Sequence, residues 1–490
     1  RWGLPGKEED LLTKAARAAG LDPKSGISDL PSKYVGGYAE RDAALPLAIL
    51  RRQEVDIDEQ GLWGIYDLES RLLPVLVKMR RRGVRIDLGR LAHVEKWTEE
   101  EERKNWKQVS SITGVRLTPD DAWSSNAIAA ALKADGVHVF KTAKGAYSVT
   151  QEFLDNIDSK AGLHIKRARK LNKLRTTFAA SVRRHLIGDR IHCTFNQLRS
   201  CNKGGEDKGA KFGRISCSDP NLQQQPSRDD FAPMWRSIYV PEPGEEWACL
   251  DYSQQEPRWT THFASLCGLP RADEMVRRYN SDRKADNHTM MAQLIAGEGP
   301  DWVPPKKKRS QAKDLFLAQC YGQQSAAMAR TLGLPTKWIE TKTGKLIEVA
   351  GDEAQHIIDS FNKRLPFVRK LSKKTEAVVK RRGHIVTVLG RRCRFEKDPD
   401  GPGYYKTYRA LNRLIQGSSA DQTKKAMVDA DDAGFRLLLQ VHDEVDLSIS
   451  SHREARDLAQ IMREAVTMKV QSRVDIEVGP NWGEIKGISE

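Results

Sequence analysis

Three short stretches of the chain carry residue types that could hold metal and phosphate. In the first, Glu246 to Leu250 reads as a short buried strand, and Asp251-Tyr252-Ser253-Gln254-Gln255-Glu256 turns from its end into a helix. In the second, apolar residues alternate at period two through 437–441 and again through 445–449. That pattern is a tight β-hairpin with Asp443 and Glu444 at its tip. Charges at the ends of buried strands are costly unless compensated, and a bound Mg2+ pair is one compensation. Two aspartates from different strands could bridge two metals roughly 3.5 to 4 Å apart, the arrangement used in phosphoryl transfer. An Asp-Glu pair in a hairpin is, by itself, also an ordinary turn. In the third stretch, a helix from Lys306 to Gly322, Arg309, Lys313, Leu317 and Tyr321 recur every four residues and share one face. Two cations and an aromatic ring on one face suit a triphosphate together with a base or sugar. A basic surface helix whose Tyr belongs to the core would show the same spacing.

The elements that position these residues belong to a large basic protein. Its 490 residues carry 81 Lys+Arg against 66 Asp+Glu, a formal charge of +15. Length alone implies roughly three domains, and the charge surplus points to a polyanionic partner, nucleic acid first. Seven cysteines, an odd number with no C-x-x-C, argue against a disulfide framework and a thiolate zinc site. No apolar run approaches about 18 residues and no signal-peptide core opens the chain, so a membrane or secreted class is excluded and a cytoplasmic setting is expected. The chain opens Arg1-Trp2-Gly3 without an initiator Met, as a fragment or processed chain would.

Basic residues are clumped. Six of the ten residues from Lys166 to Arg175 are basic, and Ile165, Ala168, Leu171, Leu174, Phe178, Val182 and Leu186 keep helical spacing, so an amphipathic helix with a positive outer face is expected. Lys363 to Arg382 holds nine Lys or Arg, and Lys306 to Arg309 is a basic run. Each could be a solvated helix face; together they suggest a groove that tracks a phosphate backbone. The acidic run Glu99 to Glu102 reads as the cap of a solvent-exposed helix. Arg199 to Lys211 reads as a mobile loop, Pro304-Pro305 as a break before a helix, and Thr336 to Gly351 as an inserted surface hairpin.

These residues together resemble a known family. Asp251-Tyr252-Ser253-Gln254-Gln255-Glu256-Pro257-Arg258, Arg309-x3-Lys313-x7-Tyr321-Gly322 and Gln440-Val441-His442-Asp443-Glu444 resemble, in order and separation, motifs A, B and C of the family A DNA polymerases, the DNA polymerase I type. Pro74 to Asp87, Gly213 to Gln223, Asp286 to Thr289, Gly390 to Arg392, Asn412 to Gly417 and Gly479 to Trp482 fall where that family has further motifs, so the resemblance covers about residues 67–490. It implies a mixed α/β (α+β) right-hand fold, with an antiparallel palm sheet, a helical thumb and helical fingers. The implied map is an exonuclease-like remnant at 1–66, polymerase lead-in and thumb at 67–188, palm at 189–265 and 396–490, and fingers at 266–395. It further implies DNA-directed DNA synthesis, with Asp251, Asp443 and the Tyr252 carbonyl holding two Mg2+ ions, or Mn2+ in their place, and Glu444 as an accessory carboxylate. Arg309, Lys313 and His288 would meet the triphosphate, Lys313 also serving as proton donor to the leaving group. Gln254, Glu256, Leu317 and Tyr321 would surround the incoming nucleotide, with Glu256 as the gate against a ribose 2′-hydroxyl. Arg214, Asn412, Gln416, His442 and Arg258 would contact DNA. Expected partners are primer-template DNA, dNTPs and replication accessory proteins, with the chain itself a monomer and off the membrane.

Pro257, Leu317 and Ala318 depart from the residues usual in bacterial members and lean toward phage-like branches. Near the N-terminus, Tyr38-x3-Asp42 on a helix after Gly36-Gly37 resembles the last motif of a 3′-5′ exonuclease, which would be incomplete in this sequence and supplied, if at all, by an upstream or separate segment. Helix packing alone would explain the same pair. The competing readings are a catalytically silent nucleic-acid-binding protein of the same fold, or a polymerase that uses RNA templates or ribonucleotides; intact Asp251 and Asp443, and Glu256, weigh against them.

Overall fold

The computed structural model describes residues 9–198, 210, 212–281, 286–341, 343–399 and 401–489. Two compact units are formed, one by residues up to Glu69 with Leu389–Arg391, the other by Ser70–Val388 with Arg392–Glu490. The loop expected over Arg199 to Lys211 lies, apart from Ala210, outside the described residues.

In the smaller unit the helix Ser32–Glu59 runs through Gly36, Gly37 and Pro46, so the glycines do not precede it as the sequence suggested. Tyr38 packs against a small core of Leu12, Ala16 and Leu30, and Asp42 follows one turn later, half-buried.

The larger unit is built around a five-stranded antiparallel sheet. Its central strand, Glu246–Tyr252, lies between Glu444–Ile449 and Val474–Gly479. The expected hairpin is present, with Leu437–Val441 pairing Glu444–Ile449 across His442-Asp443. Alternation assigns the faces: Ala248, Leu250, Tyr252, Val445, Leu447, Ile449, Val474, Ile476 and Val478 are buried on one side. The helices Ala410–Asp432 and His452–Glu464 lie on that side, and the Tyr252 hydroxyl donates to the Met462 carbonyl at 2.6 Å. The opposite face carries Asp251, Cys249, Glu444, Asp446, Asp475 and Glu477 in register. The strand extends one residue pair further than expected, placing Asp251 inside the ladder opposite both Glu444 and Asp475.

Two of the charge readings are corrected. The helical segment expected from Ile165 to Leu186 is the α-helix Lys160–Lys173, a π-helical turn Leu174–Ala179 and a short helix Ala180–His185. Its basic face is largely satisfied internally: Lys166 pairs with Asp155, Arg167 with Asp230, Lys170 with Asp229 and Arg175 with Glu102. Arg169 is buried and donates to the Ala122 and Val149 carbonyls. Glu102, expected at an exposed helix cap, lies in the middle of Leu88–Thr113 and is fully buried, accepting from Asn172 at 2.7 Å and from Arg175 at 2.9 Å. A buried carboxylate is tolerable only with such partners, so this one stitches two long helices together.

The helix Lys306–Cys320 begins after Pro305, as expected. Ala312, Leu315, Phe316 and Ala318 are buried, whereas Arg309 and Lys313 are exposed and Leu317 and Tyr321 half-buried. The inserted hairpin is also present, pairing Thr336–Glu340 with Leu346–Ala350.

Candidate active site

The Asp251 strand and the hairpin converge at one end of the sheet. Glu444 pairs directly with Asp251, and the Tyr252 amide donates to the Asp443 carbonyl at 3.3 Å. The hairpin turns in only two residues because His442 adopts φ +59, a left-handed conformation uncommon outside glycine and asparagine. The Gln440 amide holds this turn by donating to the His442 carbonyl at 2.5 Å, and Gln223 donates to both the backbone carbonyl and the side chain of Gln440. A hydrogen-bonded support of this kind keeps Asp443 beside Asp251.

Electrostatically the carboxylates are under-compensated. Burial, and then the charges of Asp443, Glu444, Asp475 and Glu477, push Asp251 up to about 8. Burial likewise raises Asp443 and Glu444, and the Arg214 and Arg236 guanidiniums only partly oppose it. Hydrogen bonds from Asp446, Cys249 and the Trp482 indole oppose the rise at Glu444 without removing it. A cluster of hard oxygen donors with surplus negative charge fits divalent cations, and Asp251, Asp443, Glu444 and the Tyr252 carbonyl are the groups that could hold them. A different trio, Cys249, Glu444 and Asp446, has ligand atoms within 4.8 Å of one another. Burial favours the protonated forms of Cys249 and Asp446, and Asp446 is fully enclosed, taking a bond from the Trp247 indole at 3.2 Å. This trio is therefore a packed underlayer of the acidic face.

Beside the carboxylates, four separate segments meet at Glu256. Arg214 Nη2 reaches one carboxylate oxygen at 3.2 Å, the Tyr321 hydroxyl donates to the other at 3.3 Å, and Gln416 hydrogen-bonds that hydroxyl. Burial raises Glu256 while Arg214 and Tyr321 pull it back, and burial with the Glu256 charge pushes Tyr321 up to about 12. Tyr321 can come this close because Gly322 turns the chain at φ +70; a Cβ there would lie 2.7 Å from the Tyr408 carbonyl oxygen.

A second cluster forms at the start of helix Asn287–Ala296. Asp286 caps this helix and accepts from Arg309 Nε at 2.6 Å, Gln254 Nε2 at 2.9 Å and the Thr289 hydroxyl at 2.6 Å. Burial acts upward on Asp286, but the Arg309 and Thr289 bonds win and bring it to about 2. His288 is buried with Nδ1 unpartnered among the described residues; burial lowers it to about 4, Asp286 opposing and Lys313 and Arg309 adding to the fall. The result is a neutral imidazole beside two cations, a surface ready for phosphate oxygens.

Arg258 is a correction. Expected at the DNA, it is only 3% exposed and donates to the Ser253 carbonyl at 3.0 Å and the Gln471 carbonyl at 2.7 Å, with Tyr279 under its guanidinium. A side chain so enclosed braces the turn after Asp251 and does not reach the open face. Asn412 is half-buried with Oδ1 unpartnered among the described residues, and His442 is exposed. Sequence reading gave no role to Asp286, whose Asp-x-x-Thr position before a helix is a capping signal, or to Asp475 and Glu477, whose period-two spacing in Val-Asp-Ile-Glu-Val was a legible sign that they face Asp251.

This fold is shared with solved structures. The POL domain of Pol1 from M. smegmatis, in complex with DNA primer-template and dNTP, superposes with a TM-score of 0.71 at 24% identity, covering 99% of this chain and 80% of that one. The fold is thus that of a right-hand polymerase, with the antiparallel sheet as its palm. The DNA polymerase family A profile matches residues 98–484. A DNA-directed DNA polymerase of Pseudomonas phage M6 is 47% identical over 99% of this chain and 76% of its own length. A thermostable DNA polymerase I of Thermus filiformis is 29% identical over 95% of this chain and 54% of its own length. The chain belongs to DNA polymerase family A, and it is more similar to this phage member than to this bacterial one. Among the described residues no helix is long and apolar enough to cross a membrane.

Proposed function

We propose that this chain is a DNA-directed DNA polymerase that extends a primer 3′-hydroxyl with dNTPs through two Mg2+ ions, for which Mn2+ can substitute. The observation that carries this reading is the convergence of Asp251 and Asp443 at one sheet end, with Glu444 opposite Asp251 and the surrounding carboxylates adding negative charge. Divalent cations held there would lower the pKa of the 3′-hydroxyl and steady the charge of the departing pyrophosphate. The 3′-oxygen forms a bond to the α-phosphorus, the bond to the β-phosphate oxygen breaks, and pyrophosphate leaves. Arg309, Lys313 and neutral His288 bind the triphosphate, and Lys313 gives a proton to the leaving group. Asp286 fixes Arg309 by its Nε, so the two terminal nitrogens of the guanidinium are left for phosphate. Glu256, locked between Arg214 and Tyr321, closes the space a ribose 2′-hydroxyl would need, with Leu317 against the sugar and Tyr321 at the template base. Arg214, Gln416, Asn412 and His442 follow the minor groove and primer terminus.

On this reading residues 67–188 form the thumb and its lead-in, 266–395 the fingers, and 189–265 with 396–490 the palm. Tyr38 and Asp42 are the end of an exonuclease-like segment in 1–66. The test is extension of a primed DNA template with dNTPs or rNTPs. Extension with dNTPs, lost on chelation, supports the reading, and Glu256→Ala should admit rNTPs. DNA binding without extension would identify a silent binding protein, and equal use of rNTPs by the unaltered chain would remove the gate.

A further inference from the structure

Three segments of the site converge on one carboxylate. Oδ1 of Asp286 accepts from Gln254 Nε2 at 2.9 Å and from the His288 amide at 3.3 Å. Oδ2 accepts from Arg309 Nε and the Thr289 hydroxyl, both at 2.6 Å, and from the Thr289 amide at 3.2 Å. Each oxygen thus faces donors only, which suits an ionised carboxylate. The donors come from separate elements. Gln254 leads into helix Gln255–Leu266 in the left-handed conformation, φ 54, and follows Asp251 by one turn of chain. Arg309 lies on helix Lys306–Cys320, and His288 and Thr289 open helix Asn287–Ala296. The Arg309 side chain stays 47% exposed in this pair while that of Asp286 is 26% exposed, so the cation keeps open surface that an incoming phosphate can reach.

We propose that Asp286 is a positioning residue for the incoming nucleotide, holding Gln254 and Arg309 in one frame so that the turn after Asp251 and the basic helix meet the nucleotide together. The proposal rests on the polymerase reading, in which both donors lie beside the nucleotide. A carboxylate fits this place where its amide does not. In Asp286→Asn one acceptor oxygen becomes an NH2 group, which must face either Gln254 Nε2 or Arg309 Nε donor to donor. Asn caps a helix about as well as Asp, so the substitution spares the start of helix Asn287–Ala296 and strikes the frame.

The test is single-turnover incorporation of one dNTP over a range of dNTP concentrations, run beside primer-template affinity, for wild type, Asp286→Asn, Gln254→Ala and the double variant. Asp286→Asn is expected to weaken apparent dNTP affinity roughly tenfold, the scale of one charge-assisted hydrogen bond, with a smaller change in maximal rate and DNA affinity within a few-fold of wild type. Because Gln254 and Arg309 share one holder, Gln254→Ala should cost less in the Asp286→Asn background than alone. Thr289→Val removes a bond from the same carboxylate and leaves Gln254 and Arg309 in place, so it should lower the melting temperature and keep dNTP affinity within a few-fold. Unchanged dNTP affinity in a folded Asp286→Asn, additive losses in the double variant, or an equal loss of dNTP affinity in Thr289→Val would overturn this proposal and leave the polymerase reading standing. No incorporation by the unaltered chain would overturn both.

Discussion

Burial and neighbouring carboxylates impose a clear electrostatic cost on Asp251. Its carboxyl rises from an ordinary 3.8 to about 8 in the metal-free fold, so the folded state binds the proton more tightly than the unfolded chain. The stability this supplies is complete below 3.8 and is lost as pH climbs through about 8. Metal-free wild type should therefore lose melting temperature relative to Asp251→Asn across that window, and saturating Mg2+ should recover the loss. A difference that stays flat with pH would show that Asp251 titrates normally. Leu317 offers a second residue-scale test. It is half-buried on the stripe that carries Lys313 and Tyr321, and it has no hydroxyl to replace a missing 3′-OH. Leu317→Tyr should relax discrimination against dideoxynucleotides roughly tenfold, about the worth of one hydrogen bond. An unchanged dideoxy-to-deoxy incorporation ratio in a folded variant would take Leu317 out of the site.

At the scale of elements, the register of the sheet and the join between two long helices do the positioning. Glu102 accepts from Asn172, Arg175 and, at 3.5 Å, the Trp106 indole while wholly buried, so Glu102→Ala removes all three bonds and costs about 2 to 3 kcal/mol, part of the Arg175 charge being rehydrated. Glu102→Gln, which still accepts from Asn172, should lose less; urea unfolding measures both, and a loss below about 0.5 kcal/mol would mean the join is held by apolar packing alone. The strand and hairpin were legible in the sequence because period-two alternation survives burial on one face. The helix from Lys306 was legible because its open stripe and buried side differ in residue type. Glu102 was misread because an acidic run looks the same whether solvent or a neighbouring helix faces it. Arg258 was misread because a motif gives residue order and not the direction of a side chain, and here the guanidinium turns back under Ser253. Asp286 was within reach as a helix cap, but its hold on Arg309 and Gln254 is a tertiary contact that spacing does not encode.

For the whole molecule, the +15 charge accords with the proposed DNA partner, but the sequence misplaces where that charge is felt. Arg167 and Lys170 are neutralised by Asp230 and Asp229, whereas helix Pro366–Arg382 keeps Arg369, Lys370, Lys373 and Lys374 exposed, with Lys380 its one ion-paired cation among the described residues. Duplex affinity should fall steeply with salt, and Lys373→Gln with Lys374→Gln should flatten the log-log slope by roughly 0.9 for each phosphate that the variant no longer neutralises. Arg167→Gln with Lys170→Gln should leave the slope unchanged; a flatter slope in that pair would mean the ion pairs open on binding DNA. We propose that Asp251 and Asp443 jointly hold the metals of nucleotidyl transfer. Single-turnover primer extension with Mg2+, run beside a DNA-binding measurement, separates their role in chemistry from DNA binding for Asp251→Ala and Asp443→Ala. Each substitution is expected to slow extension by several orders of magnitude while primer-template affinity stays within a few-fold of wild type. Extension near the wild-type rate in either variant would contradict the claim.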